Sequence, residues 1–185
     1  IQRRISEQQR PLKLGFLLQS RRTPFYRSFA AGLAAAARQG EQPVECLIEH
    51  LDDLTPRHVA ARLGRMAQQV DAVALVAADH PTLNQAIEAA VAQHQLPVFA
   101  CVSDLTTQAL AGYVGVDNRK MGRMAAWSMA NLSKPVGKVG LVLGSHRYVC
   151  QEECEASFRS YLREHAPQLQ VLETLVSLED VELAR

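Results

Sequence analysis

Short apolar runs alternate along the chain with longer stretches in which apolar residues recur at helical spacing. The runs predict strands at residues 12–18, 43–48, 72–78, 97–102 and 113–116, with two more at 138–143 and 169–176. Cap-type residues followed by proline, at Thr23-Pro24, Thr55-Pro56 and Asp79-His80-Pro81, predict where the intervening helices begin. This alternation is typical of an α/β protein with a parallel sheet and right-handed crossovers.

The stretch from residue 112 to residue 120 is interpreted as the crossing between two similar lobes. A strand ends at Asp117-Asn118, and a helical pattern follows at once. The residues predicted on the buried face of that helix are Met121, Met124, Ala125, Ser128, Met129 and Leu132. We therefore predict a polar tether over residues 1–11, a first three-layer αβα lobe over 12–117, and the start of a second αβα lobe over 118–185.

The second lobe is expected to be incomplete. It holds only two predicted strands, and so small a sheet cannot cover its own apolar face. We expect the natural polypeptide to continue beyond residue 185.

A ligand site is expected in the cleft between the lobes, because ligands of parallel α/β sheets bind at the carboxyl ends of the strands. The predicted ends are residues 19–26, Asp79-His80, Ser103-Asp104 and Asp117-Asn118. At each of them a structural role competes with ligand binding, since Asp and Ser also cap helices and turns. For Asp79-His80 three interpretations stay open: hydrogen bonding to a ligand, a catalytic pair, or a helix cap, which is the ordinary role.

Two aromatic residues at the start of the first helix, Phe25 and Tyr26, are candidates for stacking on a ligand. Phe25 and Phe29 share a helical stripe, which favours a core position for Phe25. Tyr26 lies one position off that stripe and is therefore the better candidate for stacking on a sugar ring.

Composition narrows the function classes. The 185 residues are 48% hydrophobic but only 5% aromatic, as expected for an aliphatic core of helices on a sheet. The net charge is +1, from 20 Lys+Arg and 19 Asp+Glu, and no basic stripe suits a nucleic-acid backbone. No apolar run is long enough to predict a membrane span. The four cysteines form no CxxC pair, and a reduced cytoplasmic protein is the simplest expectation.

No enzymatic site is predicted. The glycines Gly137, Gly140 and Gly144 lack the G-x-G-x-x-G order and a following lysine, which argues against nucleotide binding. No nucleophile, base and orienting residue occur together. His50, with three other histidines in polar contexts, is expected to be solvated. We expect no metal and no cofactor.

Several segments occur together in an order and spacing that a known family shares. They are LGFLLQSRRTPFY, VALVAADHP, LPVFACVSDL, AGYVGVDNRKMGRMAA and KVGLVLGSHRY. Over residues 12–178 the chain resembles the effector domain of the lactose-repressor type of bacterial transcription regulator, which is itself similar to periplasmic ribose-binding proteins.

The resemblance implies a type I periplasmic-binding-protein-like fold that closes on a small sugar or polyol. It also implies a homodimer that controls DNA binding allosterically, through a helix-turn-helix region preceding Ile1. In this interpretation the tether is the remnant of that region's linker. The alternative is a periplasmic sugar-binding protein of an ABC transporter, and an α/β enzyme using Asp79-His80 is the least favoured interpretation.

The resemblance also assigns residues by position. Gln19, Thr23, Phe25 and Tyr26 match ligand contacts of the first loop. Val102-Ser103 stands where the family often has Asp-Arg, and Cys154 where the second lobe commonly supplies arginine. These departures remove a bidentate clamp on vicinal hydroxyls. Either Asp104, His146, Arg147 or Tyr148 substitutes, or the effector is not an ordinary sugar. The predicted ligand-binding residues are therefore Gln19, Thr23, Phe25, Tyr26, Asp79, His80, Ser103, Asp104, Asp117, His146, Arg147, Tyr148 and Cys154.

Overall fold

Strands and helices alternate in the computed structural model, which describes residues 10–40, 43–132, 137–180, 182–183 and 185. The strands are β1 (Leu12–Gln19), β2 (Val44–Leu51), β3 (Ala72–Leu75), β4 (Val98–Cys101), β5 (Gly112–Val114), β6 (Gly137–Leu143) and β7 (Leu169–Val176). The helices are α1 (Pro24–Gln39), α2 (Pro56–Met66), α3 (Pro81–His94), α4 (Asn118–Leu132) and α5 (Val149–His165). Most of the predicted tether lies outside the described residues.

The chain divides into two compact units. Unit 1 comprises the described residues up to Cys101 together with Leu105–Val114, and unit 2 comprises Val102–Asp104 together with the described residues from Gly115 onward. The lobe boundaries expected from the sequence stay a prediction.

Unit 1 is built on a five-stranded parallel sheet in the order β2-β1-β3-β4-β5. The parallel α/β arrangement predicted from the sequence is confirmed, with Leu14 of β1 paired to Cys46 of β2 on one side and to Ala72 of β3 on the other. The second half of β1 is buried without interruption, which explains its continuous apolar sequence.

Helices α2 and α3 supply the other side of the unit 1 core. Their apolar stripes are buried, and the residues concerned are Val59, Leu63 and Met66 of α2 and Leu83, Ile87 and Ala90 of α3. They join Leu17, Val73, Leu75, Val98 and Ala100 of the sheet in one cluster. Burial of these aliphatic side chains is the main force that holds unit 1 together.

Unit 2 contains β6 and β7, which pair in parallel, together with α4 and α5. Its core consists of Ala126, Val139, Phe158, Leu162, Ala166 and Leu169. The described helices include none that is both long and apolar enough to span a lipid bilayer.

The predicted buried face of α4 is wrong. Met121, Met124, Ala125, Met129 and Leu132 are exposed and Ser128 is only partly buried, whereas Asn118, Gly122 and Ala126 are the buried residues of α4. The helical period is correct, but the face is displaced by about one position. The reason is close packing on α5, since a Cβ at position 122 would overlap the backbone carbonyl of Cys154. Small residues therefore take the inward face, and the methionines turn outward.

Candidate functional site

The topology of unit 1 identifies a place for ligands. The chain passes from β1 to β2 on one side and then crosses back to β3 on the other side of β1. In open α/β sheets the ligand crevice lies beyond the carboxyl ends of the strands at this change of direction. Gln19 ends β1 and is buried, and Asp79 and His80 follow β3. These three predicted site residues therefore come from adjacent strands of one sheet.

The loop after β1 is held by backbone and arginine contacts. Nη1 of Arg27 donates to the carbonyl oxygens of Arg21 and Arg22 at 3.1 and 3.2 Å. Thr23 occupies the N-cap position of α1, but its side chain makes no capping hydrogen bond. The helix begins where the sequence predicts, while Arg27 organises the preceding turn.

The two aromatic residues at the start of α1 have exchanged their predicted positions. Tyr26 is only 6% exposed, whereas Phe25 is 53% exposed. The Phe25 ring stacks on Phe29 at 5.9 Å between centroids and meets the edge of Tyr26 at 5.0 Å. The prediction of a core Phe25 is wrong because its helical stripe, although real, is satisfied by ring stacking at the surface. Phe25, and not Tyr26, therefore presents the exposed ring of this pair at the start of α1.

The carboxylate of Asp79 accepts hydrogen bonds from other residues of unit 1. Its Oδ1 accepts from the backbone N–H of Thr106 at 2.9 Å and from Nδ2 of Asn84 at 3.1 Å, and its Oδ2 accepts from the Thr106 hydroxyl at 2.9 Å. Burial raises the pKa of Asp79, but these hydrogen bonds outweigh it and the net pKa is lowered. The carboxylate is thus charged and largely saturated.

His80 caps α3. Its Nδ1 accepts the backbone N–H of Thr82 at 3.1 Å. Of the three interpretations of the Asp79-His80 pair, the geometry favours the structural one: His80 is the cap and Asp79 ties the end of β3 to the segment after β4.

Ser103 lies in unit 2 and supports α5. It is 1% exposed, and its Oγ accepts the backbone N–H of Cys150 at 3.2 Å. This hydroxyl therefore satisfies one of the open donors at the start of α5 from 47 residues away. Asp104 is adjacent, its carbonyl oxygen 3.5 Å from the same hydroxyl.

Val102 has a left-handed backbone, with φ of 67°. This conformation is a genuine outlier for a β-branched residue, and such strain clusters at ligand sites and turns. The sequence carries no signal for it, because valine is among the residues least expected there. Val102 directly precedes Ser103, whose hydroxyl contacts α5.

Asp117 and Cys154 both act at helix ends within unit 2. Oδ1 of Asp117 accepts the backbone N–H of Lys120 at 2.9 Å, and this bond is the main cause of the lowered pKa of Asp117. Sγ of Cys154 donates to the carbonyl oxygen of Asn118 at 3.3 Å. Burial raises the pKa of the Cys154 thiol. A neutral thiol cannot replace the arginine that the resemblance expects at this position.

The loop after β6 is anchored through Glu155. Nε2 of His146 donates to Oε2 of Glu155 at 2.7 Å, and Arg159 Nε donates to Oε1 at 2.8 Å. The hydroxyl of Thr174 also donates to Oε1. Burial raises the pKa of Glu155, but these three donors together lower it from 4.5 to about 2. His146 is thereby fixed to α5, while the side chain of its neighbour Arg147 is exposed.

The structure thus groups the predicted residues within each unit. In unit 1 the group is Gln19, Thr23, Phe25, Tyr26, Asp79 and His80, and in unit 2 it is Ser103, Asp104, Asp117, His146, Arg147, Tyr148 and Cys154. Their role in ligand binding stays a prediction. The part of the chain that the structure describes holds no cluster of three or more His, Cys, Asp or Glu residues suited to a metal ion.

Sequence reasoning missed the role of His50. It was expected to be solvated, but it is partly buried, and Nδ1 donates to the carbonyl oxygen of Gln19 at 2.8 Å. The contact follows from the pairing of β1 with β2, which places His50 in register with Leu18. A polar residue near the carboxyl end of a predicted strand was the available signal.

The fold and its loops define a type I periplasmic-binding-protein-like domain. The chain belongs to the periplasmic binding protein domain family, whose model matches residues 14–185. Effector domains of the lactose-repressor type and sugar-binding proteins of ABC transporters share this fold. The family match therefore supports the periplasmic-binding-protein-like fold. It does not distinguish a regulator's effector domain from a transporter's sugar-binding protein.

Several solved structures are similar to this chain over most of its length. One is GanP, a glucose-galactose binding protein from Geobacillus stearothermophilus, with a TM-score of 0.84 and 18% identity over 95% of this chain and 62% of that chain. Another is an ABC transporter solute-binding protein from Burkholderia graminis in complex with D-arabinose, with a TM-score of 0.83 and 18% identity over 93% of this chain and 58% of that chain.

A third is an ABC transporter periplasmic solute-binding protein from Actinobacillus succinogenes with bound D-allose. Its TM-score is 0.79, with 18% identity over 95% of this chain and 62% of that chain. The chain thus spans less than two thirds of the length of each. A search of the curated proteins found no match.

Proposed function

We propose that the protein binds a small sugar or polyol through loops at the carboxyl edge of the unit 1 sheet. The observation that carries the proposal is the exposed ring of Phe25, in the first turn of α1 directly after the loop that follows β1. An aromatic face of this kind suits the C–H face of a sugar ring. Membership of the periplasmic binding protein family and the sugars named for the three solved structures support this ligand class.

Hydroxyl groups of the ligand need polar partners that the fold does not already use. Asp79 is a weak candidate, because Thr106 and Asn84 occupy its oxygens. Thr23 is a better one, since its side chain does not cap α1. We expect a sugar specificity different from that of family members with the Asp-Arg pair.

A thermal-shift screen tests the proposed ligand class. The purified protein is heated with D-arabinose, D-allose, D-glucose, D-galactose and a polyol series. A ligand at about 100 times its Kd stabilises the folded state by about 2.7 kcal/mol, which raises the melting temperature measurably. We expect at least one saturable shift. The absence of a shift with every compound at high millimolar concentration would remove the support for a sugar ligand.

The role we favour for this binding is delivery of the sugar to a transporter, because the Burkholderia and Actinobacillus structures are both described as ABC transporter solute-binding proteins. A second candidate is the effector domain of a lactose-repressor-type regulator, supported by the ordered segments LGFLLQSRRTPFY to KVGLVLGSHRY. A regulator would be a cytoplasmic homodimer in which ligand changes DNA affinity by about 1 to 3 kcal/mol.

The gene sequence upstream of Ile1 and a DNA-binding assay separate these roles. An export signal supports the transporter role and excludes the regulator. An encoded helix-turn-helix, with sugar-dependent DNA binding and a dimer in sedimentation, supports the regulator and excludes delivery to a transporter.

A further inference from the structure

A polar cavity lies in unit 1, at the carboxyl ends of β1 and β2. Its volume is about 440 Å³. The residues that line it are Ser20, Arg21, Arg22, Ile48, His50 and Asp52. Ile48 and His50 are two positions apart on β2 and therefore face the same side of the strand. The volume suits a small molecule or a part of one.

The wall of this cavity carries an excess of positive charge. Arg21 and Arg22 are exposed, and within the described residues neither forms an ion pair with a carboxylate. Arg27 is not part of the lining, but it donates to the backbone carbonyl oxygens of Arg21 and Arg22 and so holds the turn that carries them. Asp52 is the only acidic residue of the lining.

Neighbouring acidic groups are already engaged. Oδ1 of Asp52 accepts the hydroxyl of Ser20 at 2.5 Å. The next residue, Asp53, accepts the backbone N–H of Thr55 at 2.9 Å and lies 3.4 Å from Nδ1 of His58. The first turns of α1 and α2 contain no acidic residue. Among the described residues neither Arg21 nor Arg22 forms an ion pair, and the lining carries two guanidinium groups against the single carboxylate of Asp52.

The cavity is also preformed on its inner side. His50 is fixed by the hydrogen bond from Nδ1 to the Gln19 carbonyl oxygen at 2.8 Å. The Ser20 hydroxyl accepts the backbone N–H of Arg22 at 3.2 Å, which orders the turn that carries both arginines. A ligand would therefore meet a largely ordered wall, and less binding energy is lost in ordering it.

We propose that this cavity binds a small oxyanion, a carboxylate or a phosphate, through the guanidinium groups of Arg21 and Arg22. Guanidinium groups match both anions with planar, bidentate hydrogen bonds. Phe25 is not among the residues that line the cavity, and the anion proposal does not depend on the proposed sugar ligand.

Isothermal titration with inorganic phosphate and with malonate tests this site, in a buffer free of other oxyanions and with sodium chloride at matched ionic strength. The test variant is Arg21→Gln/Arg22→Gln. The control is Arg38→Gln, which removes an exposed arginine from the last turn of α1, outside the cavity. We expect saturable binding of at least one probe, unchanged in the control and weakened by about tenfold or more in the double variant.

The two probes also separate the sources of the anion, because preferential binding of phosphate indicates a phosphorylated ligand and preferential binding of malonate a carboxylate. If neither probe binds saturably, or if the double variant binds as tightly as the unmodified protein, the proposal is overturned. The single variants Arg21→Gln and Arg22→Gln replace the double variant should it not fold. Sugar binding without anion binding would refute this site alone, and the reverse would refute only the sugar proposal.

Discussion

The hydroxyl of Thr106 donates to Oδ2 of Asp79 at 2.9 Å while the Thr106 backbone N–H donates to Oδ1 at 2.9 Å. One residue thus engages both oxygens of a carboxylate 27 positions earlier in the chain. The pair connects the carboxyl end of β3 to the segment between β4 and β5. It explains why Asp79, although placed where ligands bind in such sheets, serves the scaffold.

Thr106→Val tests this role of Asp79. The substitution removes the hydroxyl donor and keeps the backbone donor, so we expect the free energy of unfolding to fall by about 1 kcal/mol. The pKa of Asp79, followed by NMR, should rise toward its ordinary value, because one of the groups that lower it is lost. Thr106→Ser keeps the hydroxyl and is the control. An unchanged Asp79 pKa in the valine variant would contradict the assignment.

Gly122→Ala tests the close approach of α4 to α5. An added Cβ would overlap the Cys154 carbonyl oxygen and Oγ of Ser157, so we expect a loss of about 1 to 3 kcal/mol in urea unfolding.

The matched control is Gly64→Ala in α2. A Cβ placed there has no described atom within 4 Å outside its own stretch of helix. Since glycine in a helix interior is unfavourable relative to alanine, we expect this control to gain about 0.5 to 1 kcal/mol. Equal effects at the two glycines would mean that the helices are not in close contact at Gly122.

Glu155→Gln tests the anchor of the loop after β6. The pKa of Glu155 is lowered from 4.5 to about 2, so the folded state binds this proton less tightly than the unfolded state. The resulting stability is present above about pH 4.5 and is lost as the pH falls from there to about 2. This contribution of Glu155 to the free energy of unfolding is at most about 3 kcal/mol.

We expect Glu155→Gln to reduce the acid-induced loss of stability across this pH window, measured by urea unfolding at a series of pH values. Thr174→Val should shift the window upward by removing one donor, and Thr174→Ser should not. An identical pH profile in Glu155→Gln and the unmodified protein would contradict the lowered pKa.

Ser103→Ala tests the cap of α5. Loss of the acceptor for the Cys150 backbone N–H should cost about 0.5 to 2 kcal/mol, as for other helix N-caps. Ser28→Ala, at an exposed position in α1, is the control and should cost nothing. Should both variants unfold at the same urea concentration, Ser103 would not be supporting α5.

Much of the fold follows from local sequence signals. Continuous apolar runs predicted β1 and β3, and cap residues followed by proline located the starts of α1, α2 and α3. A parallel sheet followed from their alternation. These signals depend on residues that are close in the sequence. They can therefore be interpreted without knowledge of the tertiary structure.

The errors concern which side a residue faces and which distant residue it meets. Periodicity placed Phe25 and Phe29 on one face but could not tell that this face is the surface. In α4 the larger methionines suggested the core, whereas packing on α5 required the small Gly122. The hydrophobic pattern of a sequence gives no information about how closely two helix backbones pack.

Polar residues at the strand ends could be found in the sequence, but their hydrogen-bond partners could not. Ser103, for example, accepts from the backbone of a helix 47 positions later in the chain. The left-handed backbone of Val102 could not be predicted either, because valine is not a residue type that favours it. Such partners are fixed only when the sheet and helices are assembled.

The most direct test of the proposed ligand is titration calorimetry of Phe25→Ala with the sugar that gives the largest thermal shift. We expect affinity to fall by about 3- to 10-fold through loss of ring stacking, with stability little changed because Phe25 is half exposed. Phe25→Tyr keeps the ring and should bind normally, as should Trp127→Ala, which removes a similarly exposed aromatic residue from α4. Equal sugar affinity in Phe25→Ala and the unmodified protein would contradict a ligand held at the Phe25 face.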